Sequence, residues 1–187
     1  MRLDLSILGW FHTLACFLAL GLGGVNLVWR KATPLHRRIG HWYLWSLVFL
    51  SATSLGIYRS HRFFFPHYLA IATIILAALA YACAHYRWPR RLWLRLHIVC
   101  TVLTYYLLIG GGINEVYLRV NLLRRLSGGF FSPIVGMTHG ALMVLTVLVL
   151  LWFLIRYRGR RAAGAGAGRM KARFAHASRN RRCENPA

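Results

Sequence analysis

Five long apolar segments, separated by short polar connections, limit what this chain can fold into more than any other feature of the sequence. A transmembrane helix needs about 20 mostly apolar residues, because the apolar core of a bilayer is roughly 30 Å thick. The segments that reach this length are Leu5–Trp29, Gly40–Tyr58, His67–Tyr86, Leu96–Leu118 and Ile134–Ile155. The sequence therefore predicts an all-α integral membrane protein, a bundle of about five transmembrane helices within residues 1–158.

The chain is strongly basic, with 24 Lys and Arg residues against 3 Asp and Glu residues in a length of 187. A net charge of +21 can indicate nucleic-acid binding. Here, however, the basic residues flank the apolar segments or lie in the C-terminal tail, and this placement is typical of membrane proteins. We therefore expect the lipid bilayer, and a redox or other membrane protein, as partners, and no nucleic acid.

The distribution of Lys and Arg between alternate connections predicts an orientation. The connections after the first and third segments, together with the tail, hold 18 of these residues, whereas the other side holds 6. Because basic residues are retained on the cytoplasmic side, the N-terminus is predicted to lie outside and the C-terminus in the cytoplasm. Residues 159–187 are basic and rich in Gly, Ala and Arg, which predicts a disordered cytoplasmic tail.

Two short motifs carry a resemblance to a known family. The first follows the first segment and contains His36, Arg37, Gly40 and Tyr43, and the second reads Asn114-Glu115-Val116-Tyr117-Leu118-Arg119. Together with His12 in the first segment, they make residues 12–119 resemble a family of predicted bacterial membrane proteins catalogued as "domain of unknown function 2306". That family has no assigned activity. The resemblance implies a multi-pass protein of the bacterial cell (inner) membrane and no particular reaction.

Ionisable side chains are costly inside a bilayer, so those within the predicted spans are candidate functional residues. The histidines fall into two layers: His12, His67 and His139 near the predicted outer surface, and His41, His85 and His97 near the inner one. Imidazole is a normal axial ligand of haem iron, and helical bundles build cofactor sites from inward-facing side chains. The two layers predict two b-type haems, one per leaflet, in an architecture similar to that of cytochrome b-561-type electron carriers.

Glu115 is the only acidic residue within the predicted spans, and it supports a second hypothesis. It could pair with Arg119, four residues on, in an interfacial ion pair of purely structural value. Alternatively, Glu115 and its neighbour Asn114 could act with His12 or His139 in a proton relay, as in a proton-coupled transporter or sensor.

Two less specific interpretations also stay open. The histidines near segment ends could simply hydrogen-bond helix ends, and the chain could be an assembly subunit without chemistry of its own. His36, His61 and His176 are expected in loops or the tail, without a cofactor role. Motifs of soluble enzymes, such as H-E-x-x-H or a phosphate-binding loop, are absent from the sequence, so no catalytic residue is predicted.

Overall fold

The computed structural model describes residues 7–56, 65–120, 123 and 132–157, and within these ranges the protein is all-helical, without strands. The long helices are α1 (Ile7–Val28), α2 (Pro34–Leu55), α3 (Phe65–Tyr86), α4 (Trp93–Arg119) and α5 (Pro133–Tyr157). Within the described residues each of the five predicted apolar segments overlaps a helix, and the prediction of an all-α protein is confirmed. Five membrane spans and their orientation stay predictions. The predicted tail, residues 159–187, lies outside the described residues.

Four of these helices, α1, α3, α4 and α5, are long and apolar enough to cross a membrane. Helix α2 has the length but is less apolar, because it buries the hydroxyl side chains of Ser46, Ser51 and Thr53. Its exposed side carries large aromatic residues instead, among them Trp42 and Trp45. These hydroxyl groups of α2 thus face the protein, whereas the charged side chains of Arg37 and Arg38 in its first turns are exposed.

Helix α2 begins six residues before the predicted span, at Pro34. Thr33 is in an extended conformation and its Oγ1 accepts a hydrogen bond of 3.1 Å from the backbone N–H of His36. A threonine cap followed by proline in the first turn is a strong helix start, because both satisfy or remove donors that the first turn leaves unpaired. The expectation that His36 lies in a loop is therefore wrong, and His36 belongs to the first turn of α2.

Consecutive helices pack side by side from α1 to α4, and α4 also contacts α1. The core of this bundle contains the buried residues Ala19, Tyr43, Leu47 and Leu108, with Tyr105 packed against them. Small residues such as Ala19 let neighbouring helices approach closely, which is the main source of packing energy between helices in a membrane.

Hydrogen bonds between hydroxyl groups cross the same region. Thr104 Oγ1 donates to the carbonyl oxygen of Thr101 at 2.8 Å, so its oxygen accepts the hydroxyl proton of Tyr43 at 3.0 Å. Tyr105 donates its own hydroxyl proton to the carbonyl oxygen of Leu20, at 3.2 Å. These bonds tie α1, α2 and α4 together in the middle of the bundle.

The alternating course of the helices gives the bundle two ends, which we name after a histidine at each. The His12 end holds the start of α1, the end of α2, the end of α4 and the start of α5, where His12 contacts Thr53 and Tyr117 contacts Thr138. The His97 end holds the end of α1, the start of α2, the end of α3 and the start of α4. Which end faces the cytoplasm stays a prediction.

The chain divides into two compact units, Met1–Val147 and Leu148–Ala187. In the described part of the second unit, the Arg156 guanidinium lies 4.9 Å from the centroid of the Trp152 ring, and Phe153 stacks on Tyr157. A basic side chain over an aromatic ring is favourable by cation–π attraction, and such groups are common where a span meets the membrane surface.

Gly23 tests the packing of the bundle. A Cβ atom at this position would lie 2.6 Å from two ring carbons of Tyr105 and 2.8 Å from Cε2 of Tyr43. We expect Gly23→Ala to lower the free energy of unfolding by about 1–3 kcal/mol, because both rings must shift. The measurement is a denaturant unfolding curve in detergent.

Gly21→Ala is the matched control, since nothing lies within 4 Å of the added methyl group. Its stability should equal that of the wild-type protein or exceed it slightly, because alanine has the higher helix propensity. Equal effects of the two variants would contradict the tyrosine packing described above.

Candidate functional site

His12 is held by α2 through Thr53. Its Nδ1 lies 3.0 Å from Oγ1 of Thr53, and that hydroxyl directs its only proton to the carbonyl oxygens of Phe49 and Leu50 at 3.0 and 2.8 Å. The Thr53 oxygen therefore accepts, and Nδ1 of His12 donates. In the neutral imidazole this leaves the lone pair on Nε2, so Thr53 determines which nitrogen of His12 can take up a proton.

His139 is held in the same way by α4. Its Nε2 lies 2.9 Å from Oδ1 of Asn114, and an amide oxygen can only accept, so Nε2 donates. The lone pair is then on Nδ1. The ring rests against Gly110, where a Cβ atom would lie 3.3 Å from Cε1 of the imidazole. Asn114 and His139, two of the predicted site residues, are thus in direct contact between α4 and α5.

Glu115 follows Asn114 on α4 and is half-buried. Its carboxylate acts electrostatically on the thiol of Cys16, so it lies near α1. Cys16 is one helical turn from His12 and on the same face of α1. The side chain of Arg119, the other predicted partner of Glu115, lies outside the described residues. A direct pairing of Glu115 with either histidine stays a prediction.

The remaining predicted histidines are placed as follows. His67 is buried at the start of α3, with 2% of its surface exposed. His41 and His85 are exposed and lie on either side of Tyr81, with ring centroids 5.7 and 5.3 Å from it. These two residues of the predicted inner layer therefore pack on a tyrosine ring.

His97, the third residue of that layer, is half-buried where α3 meets α4. Its Nδ1 lies 2.9 Å from the carbonyl oxygen of Ala80, so Nδ1 donates and Nε2 carries the lone pair. This orientation is typical of functional histidines, because a fixed donor selects one tautomer.

The structure adds three residues at the His97 end that were not among the candidate site residues. Asn26 is 7% exposed, and Lys31 donates hydrogen bonds to the backbone carbonyl oxygens of Asn26 and Leu27. Oδ1 of Asn26 and Nδ1 of His36 are buried, and neither has a hydrogen-bond partner within the described residues. The Thr33-Pro34 start signal could have placed His36 on a helix, but no sequence signal shows that these two atoms lack partners.

His36 is the ionisable group at this end whose pKa departs most clearly from its ordinary value. Burial, with smaller contributions from the positive charge of Lys31 and from the neighbouring His97, lowers the pKa of His36 to about 4. The imidazole of His36 is therefore neutral at pH 7.

The predicted haems can be tested against this packing. Nε2 of His139 is bonded to Asn114, and the rings of Tyr43 and Tyr105 fill the space beside Gly23 that a macrocycle would need. Among the described residues, no group of three or more His, Cys, Asp or Glu side chains gathers as a metal site. A haem held by two histidines needs no such group, so haem binding stays a prediction.

Comparison with known proteins gives no further guide. No family model matches the chain, and neither a curated protein nor a solved structure matches it. The resemblance over residues 12–119 stays a prediction, and the functional argument rests on the geometry described above.

The lowered pKa of His36 predicts a pH dependence of stability. Between about pH 6.5, the ordinary value for histidine, and pH 4, the unfolded chain binds a proton at His36 that the folded protein does not. The free energy of unfolding should therefore fall as the pH is lowered through this window and level off below it. We expect His36→Gln to have a smaller slope there, measured by denaturant unfolding at several pH values.

His85→Gln is the matched control, because His85 is an exposed histidine at the same end of the bundle. It should keep the wild-type slope. A His36→Gln protein with the wild-type slope would show that His36 is not shielded from protons in the folded state.

Proposed function

We propose that this chain is a multi-pass membrane protein that couples protonation at the His12 end to the transport or sensing of a ligand. One observation carries the proposal: helices α1, α2, α4 and α5 bring His12, Glu115 and His139 to the same end of the bundle, with both imidazoles oriented by cross-helix hydrogen bonds. Transport and sensing share this protonation step, and both require that it change the packing of the helices.

The membrane location rests on the four candidate spans and on the apolar surface they present. Large exposed apolar side chains cover the bundle, such as Phe17, Val28 and Met137, at 70%, 88% and 74% exposure. In water such a surface would drive aggregation, whereas in a bilayer it contacts lipid. The excess of basic residues on one side favours the bacterial inner membrane with the tail in the cytoplasm.

The chemistry follows from the donor assignments. Nε2 of His12 and the carboxylate of Glu115 are proton acceptors on facing helices, α1 and α4, and Nδ1 of His139 is a third acceptor on α5. An unpaired charge inside a bilayer costs about 3 kcal/mol by insertion measurements, so a proton bound by an imidazole is most stable where a carboxylate offsets its charge. Glu115 has this role for His12 or His139 in the proposed function.

Protonation of His12 or His139 can change how the helices pack, because each imidazole is hydrogen-bonded to a neighbouring helix. His12 joins α1 to α2 through Thr53, and His139 joins α4 to α5 through Asn114. A positive charge on either ring strengthens its attraction to Glu115 on α4. The helix pairs then shift relative to one another, which is the kind of change that opens a ligand path or signals across the membrane.

The proposal predicts a protonation step that depends on these three side chains. We expect acidification of the purified protein in lipid nanodiscs to change its tryptophan fluorescence and, in the infrared spectrum, to remove a carboxylate band. Glu115→Gln should remove the share of the infrared change that belongs to this carboxylate, and His12→Gln or His139→Gln should shift the midpoint of that share. His85→Gln, at the opposite end, should behave as the wild-type protein.

Two outcomes would contradict the proposal. If Glu115→Gln loses its folded state by circular dichroism, while His12→Gln and His139→Gln titrate like the wild-type protein, Glu115 has a structural role only. If all variants fold and keep the wild-type response, protonation occurs elsewhere in the chain.

An absorption spectrum separates this function from the haem hypothesis. We expect protein expressed with ample haem supply to be colourless before and after addition of dithionite, because tyrosine rings occupy the space beside Gly23. A reduced b-type spectrum that disappears in His12→Ala or His139→Ala would instead establish an electron carrier. A spectrum that both variants retain would move the ligands to the other histidines.

A further inference from the structure

At the His97 end, polar side chains of α1, α2 and α4 lie near one another, and two of them have a buried atom without a hydrogen-bond partner among the described residues. Oδ1 of Asn26, near the end of α1, and Nδ1 of His36, in the first turn of α2, are both buried without a hydrogen-bond partner in the described part of the chain. Asn26 is more than nine-tenths buried. An unsatisfied buried polar atom is costly, so two of them at the same end of the bundle point to a missing hydrogen-bonding group.

The positions of the two side chains agree with a single bridging group. The amide nitrogen of Asn26 lies 3.6 Å from where a Cβ atom of Gly40 would be. Gly40 is one helical turn from His36 on the same face of α2, at a spacing of about 6 Å. Two hydrogen bonds through one oxygen atom span about 5.5 Å, and the contact at Gly40 places the side chain of Asn26 within about one helical turn of His36.

The charges nearby decide the class of the bridging group. Lys31 places its ammonium group on the carbonyl oxygens of Asn26 and Leu27 and acts electrostatically on both His36 and His97. Its positive charge disfavours a second cation. Oδ1 of Asn26 can only accept a hydrogen bond, so it repels an anion. The guest that remains is a neutral group that can donate to Asn26.

A hydroxyl group meets this requirement when Nδ1 of His36 carries the proton. It donates its proton to Oδ1 of Asn26, and its oxygen accepts from Nδ1 of His36 when that nitrogen carries the proton. If the proton is on Nε2 instead, a water molecule can donate to both acceptors. Buried water commonly makes about three hydrogen bonds to groups that would otherwise be unsatisfied.

We propose that Asn26 and His36 form a binding site for a neutral hydroxyl group, supplied either by a buried water molecule or by a small hydroxyl-bearing ligand. The site lies at the opposite end of the bundle from His12 and does not depend on the proposed proton coupling. It joins α1 to α2 where the short connection between them holds Lys31.

The first test is Asn26→Leu, which keeps the side-chain volume and removes the acceptor. If a hydroxyl is bound, the variant deprives it of its partner and the thermal unfolding midpoint falls below that of the wild-type protein. If the site is dry, the variant removes an unsatisfied acceptor and the midpoint rises, which would overturn the proposal. Val25→Leu, an exposed change in the same turn, is the control and should leave the midpoint unchanged.

The second test uses the wild-type protein and holds even if Asn26→Leu does not fold. Protein with ¹⁵N-labelled histidine is studied by NMR in nanodiscs, with His36→Gln to assign the signals of His36. A magnetisation transfer from water to the imidazole of His36, slower than for exposed His85, identifies bound water. Transfer from a CH–OH group, with an alcohol found by mass spectrometry of the same sample, identifies a ligand. A His36 imidazole without contact to any hydroxyl group would refute the site.

Discussion

Close contact between two tyrosine rings and one glycine holds the centre of this bundle together. Tyr43 and Tyr105, with ring centroids 6.4 Å apart, pack against Gly23, so that α1, α2 and α4 meet in direct contact. Lipid offers no partner for a hydroxyl group, so each ring must place its oxygen on the protein. Tyr43 uses Thr104 and Tyr105 uses the backbone of α1. The polar residues at either end of the bundle are positioned by helices that this contact fixes.

The two ends of the bundle differ in how their polar side chains are hydrogen-bonded. At the His12 end, histidines on α1 and α5 find side-chain partners on neighbouring helices, Thr53 and Asn114, so their ring orientations are determined. At the His97 end, His97 is fixed by a backbone carbonyl oxygen of α3, while Asn26 and His36 keep buried atoms without a partner among the described residues. A hydrogen-bonded histidine has a defined proton position, whereas a buried polar atom without a partner favours the binding of a water molecule or a ligand hydroxyl group.

The sequence predicts the helices well, because the length and apolarity of a segment are local properties that the bilayer selects directly. It does not predict the start of α2, since the polar residues around His36 resemble a connection until the Thr33 cap and Pro34 are weighed. For the candidate site, it identifies Asn114 and His139 but not their mutual contact. Which nitrogen of His12 donates, and that Asn26 is buried beside α2, depend on packing between helices distant in sequence, which no local pattern records.

The inward-facing hydroxyls of α2 also bear on how the protein enters a membrane. A segment that carries Ser46, Ser51 and Thr53 partitions into lipid less readily than its four companions, although Ser46 and Thr53 bond to carbonyl oxygens of their own helix. Burial of these side chains against neighbouring helices removes the remaining cost. We therefore expect any insertion of α2 into a membrane to depend on the apolar helices synthesised immediately before and after it.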